Sequence, residues 1–116
     1  MNHKYLTHDL KLGLIAKTYI KPKTDLGPIF QIHSYTGDYK KDFERVGIGK
    51  FLRQNPFKSN CKVVFKKDKV HAVTTKPIKQ GSQIFLFNFP WMEDSYIKKV
   101  QKHKDEQRKK IVIGMQ

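Results

Sequence analysis

The run QGSQIFLFN (80–88) carries four large apolar residues and then stops at one amide, Asn88. A polar side chain at the end of an apolar strand is placed to face a site. An amide, however, only donates and accepts hydrogen bonds; it has no group that titrates near neutral pH. Arg53 and Gln54, in GKFLRQN, could read an anion or lie on a solvated turn. Cys61 is the only cysteine. It excludes an intrachain disulfide and a cysteine-rich zinc site, and with no histidine near it in sequence it reads as a small packed side chain. The histidines at 3, 8, 33, 71 and 103 show no ligand spacing, and His71 reads as a satisfied strand residue. Asn55-Pro56-Phe57 resembles short peptide ligands of trafficking domains, but reads first as a turn. Lys98, Lys99, Lys102, Lys104, Arg108, Lys109 and Lys110 form a basic series that could contact phosphates, diluted by Glu93, Asp94, Asp105 and Glu106. Phe89 and Trp91 could stack on bases, with a cover over the sheet end as the plainer reading.

The elements that must position these residues come from one domain, or one domain plus a tail, in 116 residues. Lys plus Arg is 24 against 10 Asp plus Glu, a formal charge of +14. Such a field favours polyanions, acidic protein surfaces or anionic lipid without choosing among them, and a solvated lysine-rich surface reads equally well. Electrostatics alone would give weak, sequence-blind nucleic-acid binding, and no zinc finger or RNA-binding aromatic motif adds specificity. No N-terminal apolar run fits a signal peptide, and no span approaches the roughly 20 apolar residues of a membrane helix. The expectation is an intracellular (cytoplasmic) chain, or part of a viral particle, with no membrane span.

Along the chain, LGLIAKTYI (12–20) reads as a strand or hairpin arm, and DLGPIFQIHSY (25–35) as a turn followed by a short strand. TGDYKKD (36–42) reads as a loop, and FERVGIGKFLRQN (43–55) has room for a helical turn. KVVF (62–65) and VHAVTT (70–75) read as two strands about a KKDK turn with Asp68 at its tip. KPIKQG (76–81) is a second turn, and IFLFNF (84–89) a central strand covered on both faces. The segment EDSYIKKVQKHKDEQRKK (93–110) reads as a polar helix capped by Asp94 or Ser95, with a thin apolar stripe of Ile97, Val100 and Ile111. The apolar tail IVIGM (111–115) must pack on the domain or on a partner. The fold class is mostly β, a β-rich α+β chain with a domain over 1–92 and a basic helix and tail over 93–116.

The order of these segments resembles the SET domain, the fold of many protein-lysine methyltransferases. GLIAKTYIKPKTDLGPIFQIHSYTG (13–37) is similar to the family's opening pattern, and GIGKFLRQNPFKSNC (47–61) to its central asparagine-histidine run closing in Asn-Cys. KVVFKKDKVHAVTTKPIKQGSQIFLFN (62–88) resembles its terminal block, which leads to a catalytic tyrosine. The resemblance covers about residues 10–90 and implies a minimal version, similar in size to short viral members. It implies S-adenosylmethionine as cofactor if the chain is active, bound against a Gly-x-Gly loop. Here Lys11-Leu12-Gly13 keeps only the second glycine. Arg53-Gln54 stands at the asparagine-histidine pair, with Asn55 reaching that role in a shifted register. The tyrosine's position falls on Asn88, with Tyr96 as a candidate substitute. The cofactor-binding candidates are therefore Gly13, Arg53, Gln54 and Asn55.

Two principal readings follow. One is a SET-like pseudoenzyme without a cofactor, which binds a protein partner, an acidic surface or nucleic acid, or forms homo-oligomers through its C-terminal segment, as a viral structural protein would. The other is a lysine methyltransferase with a variant site.

Overall fold

The computed structural model describes residues 2–114, with side chains described to Arg108. The side chains of Lys109 and Lys110 and of the IVIGM segment lie outside the described residues.

The chain opens with a hairpin of β1 (Leu6–Asp9) and β2 (Gly13–Ala16), paired from Leu6↔Ala16 to Asp9↔Gly13. Its turn is closed by Asp9, whose Oδ1 accepts the backbone N–H groups of Lys11 and Leu12, both at 2.8 Å. Leu6, Leu14 and Ala16 alternate into the core, as a half-buried strand requires.

Six further strands form one sheet: β3 (Asp25–Ile32), β4 (Phe43–Arg45), β5 (Arg53–Gln54), β6 (Cys61–Lys66), β7 (Lys69–Thr74) and β8 (Phe85–Leu86). Their order is β4-β3-β7-β6-β8-β5, and the two pairings of β8 are parallel while the others are antiparallel. The β6–β7 hairpin follows the sequence reading, in register from Cys61↔Thr74 to Lys66↔Lys69. Its tip is fixed by Lys67 in the left-handed region (φ 56°) and by Gln31, whose Nε2 donates to Asp68 Oδ2 at 3.0 Å.

Four expectations are corrected. Gly27-Pro28 does not make a turn before β3; it lies inside the strand, where register shifts on both sides of Pro28 mark a bulge that absorbs the missing N–H. TGDYKKD contains a helical turn, α1 (Tyr39–Asp42), because the Asp38 side chain accepts the Lys40 N–H and caps it. IFLFNF is a strand only at Phe85 and Leu86: β5 offers two residues to the ladder, and Phe87, though its N–H still bonds the Cys61 carbonyl, is already half exposed. The C-terminal helix α2 (Asp94–Gly114) runs past Lys110 into the segment expected to be a separate tail. It starts where the Glu93 carbonyl takes the N–H groups of Tyr96 and Ile97, and Asp94 lies inside its first turn.

The first two turns of α2 are part of the core, with Tyr96 and Val100 buried. Phe43 packs on Tyr96, and Trp91 lies edge-on to Phe30 and stacked on Phe89, so the rings cover the sheet end. Beyond Val100 the described side chains are exposed apart from His103, and the 62 × 23 × 22 Å extents fit a helix that carries on beyond the sheet. No helix among the described residues is long and apolar enough to cross a membrane.

Candidate functional site

Gly13 begins β2 at φ +86°, a region that side-chain-bearing residues rarely adopt. A Cβ there would lie 2.8 Å from the Phe51 carbonyl oxygen, 3.3 Å from Arg53 Nε and 3.6 Å from Arg53 Cδ. The fold thus brings Gly13 and Arg53 together from 40 residues apart, and the Arg53 side chain lies across the glycine. The neighbouring backbone donors are spent as well, since Lys11 and Leu12 N–H both serve Asp9. Those two bonds hold the exposed Asp9 carboxyl below its usual range, helped by the nearby positive charge of Arg53. The Arg53 side chain is exposed and, as arranged, occupies the space beside Gly13.

Arg53 and Gln54 sit on the edge strand β5, parallel to β8. Gln54 Nε2 donates to the Phe87 carbonyl at 2.9 Å, which ties this pair to the exit of β8. Asn55 is engaged in the turn that follows. Its N–H bonds the Leu86 carbonyl at 3.0 Å, and its Oδ1 accepts the Phe57 and Lys58 N–H groups. Asn88 lies in the bend just after β8, partly buried. The strand therefore ends at Leu86, two residues before Asn88, and among the described residues the Asn88 side chain makes no hydrogen bond to the protein.

Sequence reasoning did not single out the residue that fixes the approach to this strand. Asn60 is buried; its Nδ2 donates to the Gln83 carbonyl at 2.8 Å and its Oδ1 accepts the Phe85 N–H at 2.9 Å. It clamps the start of β6 to the approach of β8. The signal was its place beside Cys61, ahead of the clearest hairpin. Asn60→Ala would leave the Phe85 N–H and the Gln83 carbonyl without their partner, and an expected loss of about 1–3 kcal/mol should appear in urea denaturation. A second such residue is His8, whose ring lies 3.9 Å from that of Phe51. Both help line an open cleft of about 430 Å³ with Asn2, His3, Gly47, Ile48 and Lys50.

Tyr96 is not brought to the strand end. It is buried on the inner face of α2's first turn, and its hydroxyl donates to Asp42 Oδ2 at 2.5 Å. Burial and that carboxylate push its pKa well above the usual phenol range. His71 Nδ1 lies 3.0 Å from Asp25 Oδ1, and Lys66 Nζ 2.5 Å from Asp25 Oδ2, a surface network. Burial pushes the Cys61 thiol up to about 12, which leaves it unreactive. Lys98, Lys99, Lys102, Lys104 and Arg108 are exposed on α2, with Lys99 Nζ 5.3 Å over the Tyr35 ring.

No family model matches the sequence, and no curated protein does. Solved structures do match. The methyltransferase domain of human PR domain-containing protein 2 superposes with a TM-score of 0.58 at 14% identity, over 81% of each chain. A Plasmodium falciparum protein described as a histone methyltransferase superposes with a TM-score of 0.57 at 12% identity, over 80% of this chain and 99% of that one. At such identities the likeness speaks for the fold. It shows that this chain has the SET-like fold of these methyltransferase domains.

Proposed function

We propose that this chain is a SET-fold protein that does not transfer methyl groups and acts through its surfaces, as a basic binding or assembly protein. The observation that carries the reading is the Arg53 side chain lying across Gly13, 3.3 Å from where a Cβ would stand. Asn88 supports it: at the strand exit an amide replaces the phenol that would orient or deprotonate an amine. Tyr96 cannot stand in, since its hydroxyl is bound to Asp42. The binding role is supported by the +14 charge and by the exposed cations of α2 beyond the last core residue, Val100. Salt-dependent binding to acidic proteins or nucleic acid fits that surface.

The second reading, a lysine methyltransferase with a variant site, is favoured by the cleft of about 430 Å³ beside Phe51. Calorimetric titration with S-adenosylmethionine separates the two readings. The first expects no saturable heat, and the second expects binding that a bulky residue at Gly13 abolishes.

A further inference from the structure

Phe57 is 96% exposed, the most exposed large apolar side chain described. Its exposure does not come from a loose loop. The Asn55 N–H bonds the Leu86 carbonyl at 3.0 Å, and the Asn60 N–H bonds the Phe85 carbonyl at 3.1 Å, so both ends of the turn hang on β8 inside the sheet. Within the turn, Asn55 Oδ1 accepts the Phe57 N–H at 3.0 Å and the Lys58 N–H at 3.2 Å. The Lys58 N–H also reaches the Asn55 carbonyl at 3.3 Å, and the Ser59 hydroxyl the Pro56 carbonyl at 3.4 Å. Pro56 presets the backbone at the first central position. Asn55, Pro56 and the following N–H groups thus build a rigid turn that holds a bare aromatic ring in water. The fold draws no packing from that ring.

We propose that the Asn55-Pro56-Phe57 turn is a preformed docking ligand for a protein partner whose pocket takes one phenylalanine ring. Asn55 spends its carbonyl oxygen inside the turn, and among the described residues its Nδ2 has no hydrogen-bond partner, so it can donate to a carbonyl at the pocket wall. Lys58 follows the ring directly and the chain carries +14, which calls for an acidic rim around the pocket. The turn is held by its own hydrogen bonds, so little ordering entropy opposes association. This surface is distinct from the cations of α2, and it stands whether or not the fold binds a cofactor.

The test titrates the whole chain into a purified helical domain that binds Asn-Pro-Phe peptides, with a linear Asn-Pro-Phe peptide as positive control. Expected is saturable binding with Kd on the order of 10–500 μM. Phe57→Ala should weaken it at least tenfold without changing Tm, because the ring packs on nothing, and Asn55→Ala should weaken it as well. Binding of the control peptide without binding of the whole chain would overturn the proposal. So would a Phe57→Ala variant that binds like the native chain, or one that instead loses RNA binding or self-association while domain binding persists. None of these readouts depends on the Gly13–Arg53 site.

Discussion

Asp42→Ala is expected to cost about 3–5 kcal/mol of folding stability, since several donors would lose their acceptor at about 1–3 kcal/mol for each one left buried and unsatisfied. Asp42 is fully buried at the end of α1. It accepts hydrogen bonds from the Ser34 hydroxyl (2.7 Å), the Thr36 N–H (3.0 Å) and hydroxyl (2.8 Å), the Gly37 N–H (3.0 Å) and the Tyr96 hydroxyl (2.5 Å). Alanine would leave these donors without an acceptor and free the first turns of α2 from the 34–42 segment. Urea denaturation reads the loss directly. Asp42→Asn restores only part of it, since its amide nitrogen would face donors.

The same carboxyl sets an acid limit. Burial would raise its pKa, but the bonds from Tyr96, Thr36 and Ser34 outweigh burial and hold it down to about 2, against 3.8 unperturbed. A depressed pKa stabilises the folded state above the unfolded value and loses that stabilisation as pH falls through the folded one. The contribution, about 2 kcal/mol, is therefore intact above pH 3.8 and lost between there and pH 2. Asp25, held down to about 2 against burial by Lys66, the Gly27 N–H and His71, acts in the same window, more weakly because it is part exposed. In Asp42→Asn the acid transition over that window should flatten.

Gly49→Ala has the second large effect. Gly49 lies in the 3₁₀ turn Gly47–Lys50, which rests on β3. A Cβ there would fall 1.9 Å from the Ile29 carbonyl oxygen and 2.7 Å from its carbon. These are backbone atoms of a central strand, and that oxygen already accepts the Val46 N–H at 3.0 Å. The turn must lift off the sheet, carrying Phe51, Leu52 and Arg53 with it. Overpacking of this kind is expected to cost about 3 kcal/mol or more, with a fall in Tm of roughly 10–20 °C. Gly47→Ala is the control: its nearest neighbour would be the Pro28 oxygen at 3.6 Å, so only the cost of φ +51° remains, about 1 kcal/mol. Equal losses from both variants would show that the close approach at Gly49 is not what holds the turn.

What could be read from sequence was local. The β6–β7 hairpin was legible because alternating Val, Phe and Thr flank a charged turn, whereas the apolar run to Asn88 read longer than the two-residue strand β8 that it forms. The Asn55-Pro56-Phe57 turn and the packed Cys61 followed from residue chemistry alone. The missed features depend on partners far along the chain. Asp42 looks like one more acid of a surface loop until Tyr96, 54 residues on, places its hydroxyl on it. Asn60 looks like one polar residue among several until Gln83 and Phe85 arrive. The Gly27-Pro28 bulge needs a neighbouring strand to be a bulge at all. At the candidate site, the resemblance only aligned Arg53-Gln54 with an asparagine-histidine pair, and left Asn55 in a shifted register as the alternative. That the Arg53 side chain lies across Gly13 is a fact of the fold.

Whether that site is closed is decided by calorimetric titration of the purified chain with S-adenosylmethionine and with its demethylated product. With Arg53 across Gly13, no saturable heat is expected for either ligand up to about 1 mM, which places any Kd above the millimolar range. Saturable binding of either ligand at micromolar concentration would overturn the closed-site reading and favour the methyltransferase with a variant site.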